Sequence, residues 1–167
     1  NSSADSIKGI DNILNNSEYL LRSINIDIIE NYRGKPAICV AAGPSLDKNI
    51  DLLREYQEKA LVIACDTVLE KLLKNDIKPD IVGVLERGKK VYDYFFKNLI
   101  EDNLIPDDIV LIAEGVAHPK IFDNFSGGKL VVMRETVPTE KWFAENLNNV
   151  TAIDAGNSVA NMNFSIA

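Results

Sequence analysis

From Pro36 onward, short apolar runs alternate with amphipathic stretches, and this alternation is the feature that most restricts the fold. Strands that alternate with helices of this length form parallel βαβ units with right-handed crossovers. We therefore expect an α/β fold built on a doubly wound, mainly parallel sheet. The predicted strands are Ala37–Ala41, Leu61–Cys65, Ile81–Leu85, Ile109–Ala113, Leu130–Met133 and Val150–Ile153. The predicted helices are Ser45–Gln57, Thr67–Asn75, Lys89–Asn103, Pro119–Phe125 and Pro138–Asn146.

Two segments flank this pattern. Residues 1–33 carry apolar residues at helical spacing and predict an N-terminal helical segment, either packed beside the sheet or the stub of an upstream domain. Residues 34–167 then form the sheet domain. Its last stretch, "AGNSVANMNFSIA", predicts an amphipathic helix with Val159, Met162, Phe164 and Ile166 as apolar positions. Because no strand follows that helix, we expect the domain to be truncated at its C-terminus.

Composition excludes several classes of function. The net charge of −7, with no basic stretch longer than a Lys pair, disfavours a nucleic-acid-binding surface, which needs clustered Lys and Arg. No run approaches the roughly 18 apolar residues of a membrane span, and the start lacks the regions of a signal peptide. Cys39 and Cys65 lie in strand-like runs and are predicted to be reduced thiols in the core. Together these features predict a cytoplasmic location.

The stretch "AICVAAGPSLDKN" ends a predicted strand in Gly-Pro-Ser. Gly43 lacks a Cβ and lets the backbone approach a ligand, and Pro44 has the φ of a first helical turn. Ser45 can cap the helix or bind an anion, and the amides of Ser45 and Leu46 would point above the strand with the positive end of the helix dipole. The pattern fits a phosphate cradle. It also fits an ordinary βα turn, and on spacing alone both remain open.

A second turn of the same kind lies at Gly156, Asn157 and Ser158, again before a helix and after an apolar strand. Two such turns in one sheet suggest a ligand held from two sides. The alternative is simple capping of two helices.

Carboxylates follow two predicted strands at the edge where such sheets bind ligands. Asp66 and Glu86 each follow a strand and lie at this edge, whereas Asp80 precedes its strand and belongs to the opposite edge. Asp66 and Glu86 can accept from ribose hydroxyls or hold a metal, or can be solvated loop residues. Glu114 and Arg134 end two further strands, and Arg134 is placed for a pyrophosphate or acidic sugar. His118, the single histidine, is a candidate general base or simply a surface residue.

Three blocks of the sequence resemble the MptE-like family, which includes the motility-associated factor (Maf) proteins of flagellated bacteria. The blocks are "GKPAICVAAGPSLDKNI", "ALVIACDTVLEKLLKNDIKPDIVGVLER" and "DAGNSVANMNFSIA". The Glu-Arg ending of the second block resembles the Maf branch in particular. The resemblance implies a Rossmann-like nucleotide-binding domain over residues 34–167, with Ala42 where similar sialyltransferases carry an Asn.

On the Maf branch, the resemblance implies a glycosyltransferase that uses a CMP-activated nonulosonic acid and modifies flagellin, with a role in motility. Two helix N-termini would hold the donor's phosphate and carboxylate, and Glu86 or His118 would act as base. The implied nucleotide site comprises Gly43, Pro44, Ser45, Leu46, Asp66, Thr67, Glu86, Gly156, Asn157 and Ser158. The other branch implies an ATP-dependent 6-hydroxymethylpterin diphosphokinase in which Asp66 and Glu86 bind Mg²⁺. A nucleotide-binding module without catalysis is the third possibility.

Overall fold

A six-stranded, entirely parallel sheet forms the centre of the protein, and its strands follow one another across the sheet in chain order. The computed structural model describes residues 3–23 and 32–167. The predicted α/β class and Rossmann-like parallel sheet are confirmed. The strands are β1 Ala37–Val40, β2 Leu61–Cys65, β3 Ile81–Val84, β4 Val110–Glu114, β5 Lys129–Arg134 and β6 Thr151–Ile153.

Helices cover both faces of the sheet. Those that connect consecutive strands lie on one face, because a right-handed crossover that always advances in the same direction passes over the same side. They are α3 Pro44–Tyr56, α4 Leu69–Leu73, α5 Lys89–Val91, α6 Lys97–Glu101, α7 Pro119–Asn124 and α8 Pro138–Asn146. After β6 the chain turns back, and α9 Val159–Ile166 covers the opposite face against β1, β2 and β3.

The core consists of two layers separated by the sheet. Strands β2 and β3 are buried at every position, as expected for central strands of a parallel sheet that is covered on both faces. On the crossover face, Val82, Leu111 and Val131 pack against the connecting helices. On the other face, Ile63 and Ile112 pack against Met162 of α9. This arrangement fixes the carboxyl ends of all strands along one edge.

The N-terminal segment forms two helices, α1 Ser3–Asn15 and α2 Ser17–Leu21, which pack directly on the sheet domain. Ile13 and Leu20 are 1% and 2% exposed and belong to the same core as the crossover helices. Ile24 and Ile28, which the helical spacing also includes, lie outside the described residues. Within the described chain, the segment is therefore packed beside the sheet, one of the two arrangements considered for it.

Several boundaries and side chains differ from the sequence prediction. The predicted helix at 67–75 begins with a 3₁₀ turn, Asp66–Val68, before α4. The predicted helix at 89–103 contains a π-helical turn, Tyr92–Phe96, between α5 and α6. Phe164 was expected on the apolar side of α9 but is 78% exposed, because α9 directs Met162 and Asn163 at the sheet instead. Cys65 is buried as expected, whereas Cys39 is exposed because β1 is an edge strand.

Candidate functional site

Charged residues stand at the carboxyl ends of four adjacent strands. Asp66 follows β2, Glu86 follows β3, Glu114 ends β4 and Arg134 ends β5. Neighbouring strands lie about 4.8 Å apart, so these residues form one polar row along the edge. Burial raises the pKa of Asp66 and of Glu114, and the negative charge of Glu86 makes a smaller contribution to both rises.

The Gly43 turn lies beside this row, at the end of β1. Gly43 is the N-cap of α3 in extended backbone, and no side chain caps the helix. The Leu46 amide donates to the Gly43 carbonyl at 3.1 Å, while Pro44 has no amide hydrogen. Pro44 and Ser45 are exposed. At this turn an anion would therefore meet the Ser45 amide and hydroxyl and the positive end of a 13-residue helix.

The second turn uses most of its polar groups internally. Gly156 has φ of +56°, the left-handed region that favours glycine, and its amide donates to Asp154 Oδ1 at 3.2 Å. The Ser158 hydroxyl accepts from the Asn161 amide at 3.2 Å and so caps α9. Asn157 is exposed. The polar groups of this turn thus cap α9, which is the second of the two interpretations given for it. The Asp154 carboxylate beside the turn would repel a negatively charged ligand.

Although β1 and β6 are at opposite ends of the sheet, α9 returns towards β1. Its first residues, Val159 and Ala160, pack against the cluster that contains Val40 and Leu46. The starts of α9 and α3 therefore both lie near the carboxyl end of β1, on opposite faces of the sheet.

Asp66 is the most buried of the predicted nucleotide-binding carboxylates, at 3% exposure. Burial raises its pKa to about 6, the charge of Glu86 adds to that rise, and a 2.7 Å hydrogen bond from the Thr67 amide opposes it. Glu86 and Thr67 are exposed. In the described ranges, no group of three Asp, Glu, His or Cys side chains is placed to hold a metal. A magnesium ion would therefore depend on Asp66, Glu86 and the ligand's own phosphates.

His118 has a structural role at the start of α7. Its Nδ1 accepts from the Lys120 amide at 3.3 Å, and partial burial and nearby lysines lower its pKa. The imidazole is therefore neutral, with its proton on Nε2. Because Nδ1 is engaged in the cap and Nε2 already carries a proton, His118 is poorly placed to act as a base.

Sequence reasoning noted Glu114 and Arg134 but missed the network that joins them. The Arg134 guanidinium lies 3.3 Å from Glu114 Oε2 and 3.0 Å from Glu140 Oε1, and the Arg134 amide donates to Glu140 Oε2. Glu114 is fully buried, and burial together with the charge of Glu140 raises its pKa to about 8. Glu140 lies in the first turn of α8. The hydrophobic periodicity that predicts strands and helices does not indicate which residues contact each other at the end of β5, so this contact could not be predicted from the sequence.

Comparison with known families gives a match over residues 11–167 to the family described as 6-hydroxymethylpterin diphosphokinase MptE-like. The chain belongs to the MptE-like family. Comparison with curated proteins gives no significant match.

Among solved structures, the MptE-like chain is similar to the Maf glycosyltransferase from Magnetospirillum magneticum AMB-1. The two share 26% sequence identity with a TM-score of 0.69, over 80% of this chain. The similarity covers 20% of that glycosyltransferase, so the chain corresponds to about one fifth of the larger protein. None of the helices in the described part of this MptE-like chain has the length and apolar character that a membrane crossing needs.

Proposed function

We propose that this MptE-like domain is the nucleotide-binding part of a glycosyltransferase that uses a CMP-activated nonulosonic acid and modifies flagellin. The observation that carries the proposal is the similarity to a Maf glycosyltransferase over 80% of the chain at 26% identity. The uncapped Gly43 turn and the carboxylates Asp66 and Glu86 on the same edge support it.

In this proposal the α3 turn, from Gly43 to Leu46, binds the donor's phosphate through the Ser45 amide and the helix dipole. Asp66 and Thr67 orient the nucleotide. Glu86, an exposed carboxylate in the same row, is the better placed base because His118 is engaged in a cap. An acceptor hydroxyl would give its proton to Glu86 and attack the sugar's anomeric carbon. The bond from that carbon to the phosphate oxygen breaks, and CMP leaves with both electrons.

Calorimetric titration with CMP and with ATP tests this assignment. We expect CMP to bind without a metal and ATP to bind more weakly. Asp66→Asn should weaken CMP binding about tenfold, as loss of a hydrogen bond to a charged group predicts. Asp51→Asn, at a side chain that is 88% exposed, is the matched control and should change nothing. Failure to bind any cytidine nucleotide contradicts the proposal.

The second candidate is an ATP-dependent pyrophosphoryl transferase acting on a hydroxymethylpterin. The family's description favours it, as does the position of Asp66 and Glu86 on adjacent strands, where they could hold Mg²⁺ against ATP phosphates. It requires Mg²⁺-dependent ATP binding that Asp66→Ala abolishes. Binding of a nucleotide with no turnover in the intact protein would instead indicate a module without catalysis.

A further inference from the structure

Strand β1 lies at one end of the sheet, and no strand of the described residues pairs with its outer edge. The Leu61 amide donates to the Pro36 carbonyl at 2.8 Å, so alternate residues from Pro36 onward bond to β2. The N–H and C=O groups of Ala37 and Cys39 therefore point away from the sheet, and both residues are exposed. The strand, AICV, has none of the charged side chains that protect sheet edges. This edge can therefore accept a further strand.

An apolar groove of about 480 Å³ lies beside this edge, between β1 and α3. It is lined by Ile38 of β1 and by Leu52 and Tyr56 of α3, among others. Leu52 and Tyr56 are one helical turn apart and are 55% and 42% exposed. Large apolar side chains exposed next to each other, beside an unpaired strand, are typical of an interaction surface.

The position of α3 matches the spacing that a second copy of this chain would need. Leu46 of α3 packs in one cluster with Val40 of β1 and Val62 of β2, so the helix lies over these two strands. If two copies pair their β1 strands antiparallel about a two-fold axis, each α3 lies about one strand spacing from the axis. The two helices are then about 10 Å apart, which is the distance at which helices pack.

The strand and the helix place this axis at the same level. The antiparallel register in which Ala37 of each copy exchanges two hydrogen bonds with Cys39 of the other puts Ile38 on the axis. Ile38 lines the groove together with Asn49 and Leu52, so the axis passes near the middle of α3.

Two opposite charges lie on either side of that level. Lys48 and Glu55 are exposed, and neither forms an ion pair with another described residue. In an antiparallel pair of α3 helices centred between these residues, Lys48 of each copy faces Glu55 of the other. The charges are therefore complementary under the same two-fold axis that the strand requires.

We propose that two copies of this chain associate through β1 and α3, about a two-fold axis near Ile38 and Leu52. The two sheets become one continuous sheet, and Leu52 and Tyr56 of both copies are buried across the axis. The Lys48–Glu55 pairs counteract the repulsion between two chains that each carry a net charge of −7. The dimer is independent of the proposed function, because it uses neither Asp66 nor Glu86.

Sedimentation equilibrium at about 1–300 μM tests the association. We expect a reversible dimer that Leu52→Lys weakens at least about tenfold, since a desolvated charge replaces an apolar contact. Leu104→Lys, which makes the same change at a side chain that is 52% exposed, is the matched control and should leave the dimer intact. A monomer at every concentration, or a dimer that Leu52→Lys does not weaken, overturns the proposal.

A charge exchange tests the pairing of the two helices. Lys48→Glu and Glu55→Lys should each weaken the dimer several-fold at low salt, because each places like charges opposite one another. The double variant should recover the affinity of the unmodified protein. If it is as weak as the single variants, α3 does not pair in this way and the proposal fails.

Cysteine cross-linking tests the strand register. Ala37→Cys places a thiol opposite Cys39 of the other copy, with Cα atoms about 5.5 Å apart, which a disulfide can span. Oxidation with copper phenanthroline should therefore link this variant into covalent dimers. The unmodified protein should stay unlinked, because the two Cys39 residues are diagonal neighbours beyond the reach of a disulfide. A dimer that Ala37→Cys does not link contradicts the antiparallel β1 pairing.

Discussion

Replacing Glu114 with Gln is expected to change how the free energy of unfolding depends on pH. In the folded protein, burial and the neighbouring charge of Glu140 raise the pKa of Glu114 from 4.5 to about 8, although Arg134 lies 3.3 Å away and opposes the rise. The desolvation of a fully buried carboxylate is the largest contribution, so we expect the raised pKa to prevail.

The sign follows from proton binding. Between pH 4.5 and about 8 the folded state keeps the Glu114 proton and the unfolded state has released it, so stability falls as pH rises through this window. A shift of this size corresponds to about 5 kcal/mol lost across the window, at about 1.4 kcal/mol per pKa unit. Gln does not titrate. The stability of the Glu114→Gln variant relative to the unmodified protein should therefore improve by several kcal/mol between the two ends of the window.

Urea denaturation at a series of pH values measures this difference directly. A constant offset between the two proteins, caused by the amide's own hydrogen bonding, does not affect the comparison of slopes. Glu145→Gln, at a side chain that is 62% exposed, is the matched control and should parallel the unmodified protein. If the curve of Glu114→Gln is also parallel, Glu114 is ionised in the fold and its pairing with Arg134 outweighs desolvation.

Three further variants test other parts of the structure. Asp66 should make the unmodified protein lose about 3 kcal/mol of stability as the pH rises from 3.8 to about 6, for the same reason as Glu114. The Asp66→Asn variant should not show this loss in the same denaturation series, and an unchanged slope would contradict the raised pKa. Asn16→Ala leaves the buried carbonyls of Gly115 and Ala117 without their donor and should cost about 2–4 kcal/mol by urea denaturation, whereas Asn146→Ala, at an exposed amide, should cost little; equal effects would contradict this. Gly83→Ala would place a Cβ 1.9 Å from Asn163 Oδ1 and should lower stability by about 1–3 kcal/mol, while Gly88→Ala has no atom within 4 Å and should leave the melting temperature nearly unchanged.

The strands could be predicted because a parallel sheet covered on both faces buries every residue of its central strands. An apolar run then ends where the strand ends, and the bounds of β2 agree with the prediction at both residues. The start of α8 at Pro138 agrees with the prediction, and α3 begins at Pro44, one residue before the predicted start at Ser45. Proline at the first helical position is a local signal of such starts.

The strand order, by contrast, has no local signal. Right-handed crossovers are compatible with strands that follow one another across the sheet in chain order and with a strand order that reverses. The residues within each strand are of the same apolar kind in both cases. The same limit applies to the polar network. Glu140 meets Arg134 only because α8 folds back over the end of β5. The Ser158 cap is different, because it is a contact with Asn161 three residues along the chain and was one of the two interpretations of its turn.

The sequential strand order has a consequence for how a binding site can form. In a sheet whose order reverses, the crevice arises where neighbouring helices leave on opposite faces. Here the connecting helices all leave on one face, so the cavity at the carboxyl edge must be built by elements laid against it. The N-terminal helix α1 is one of them: Asn12 donates to the carbonyls of Arg87 and Val116, and Asn16 holds the loop after β4. The helix α9 is the other, because its return brings its start towards the Gly43 turn. A cavity of about 260 Å³ lies between α1 and the start of α8 and is lined by Ile13, Arg87 and Thr139, among others. Loss of α1 should therefore open this cavity while leaving the Gly43 turn in place.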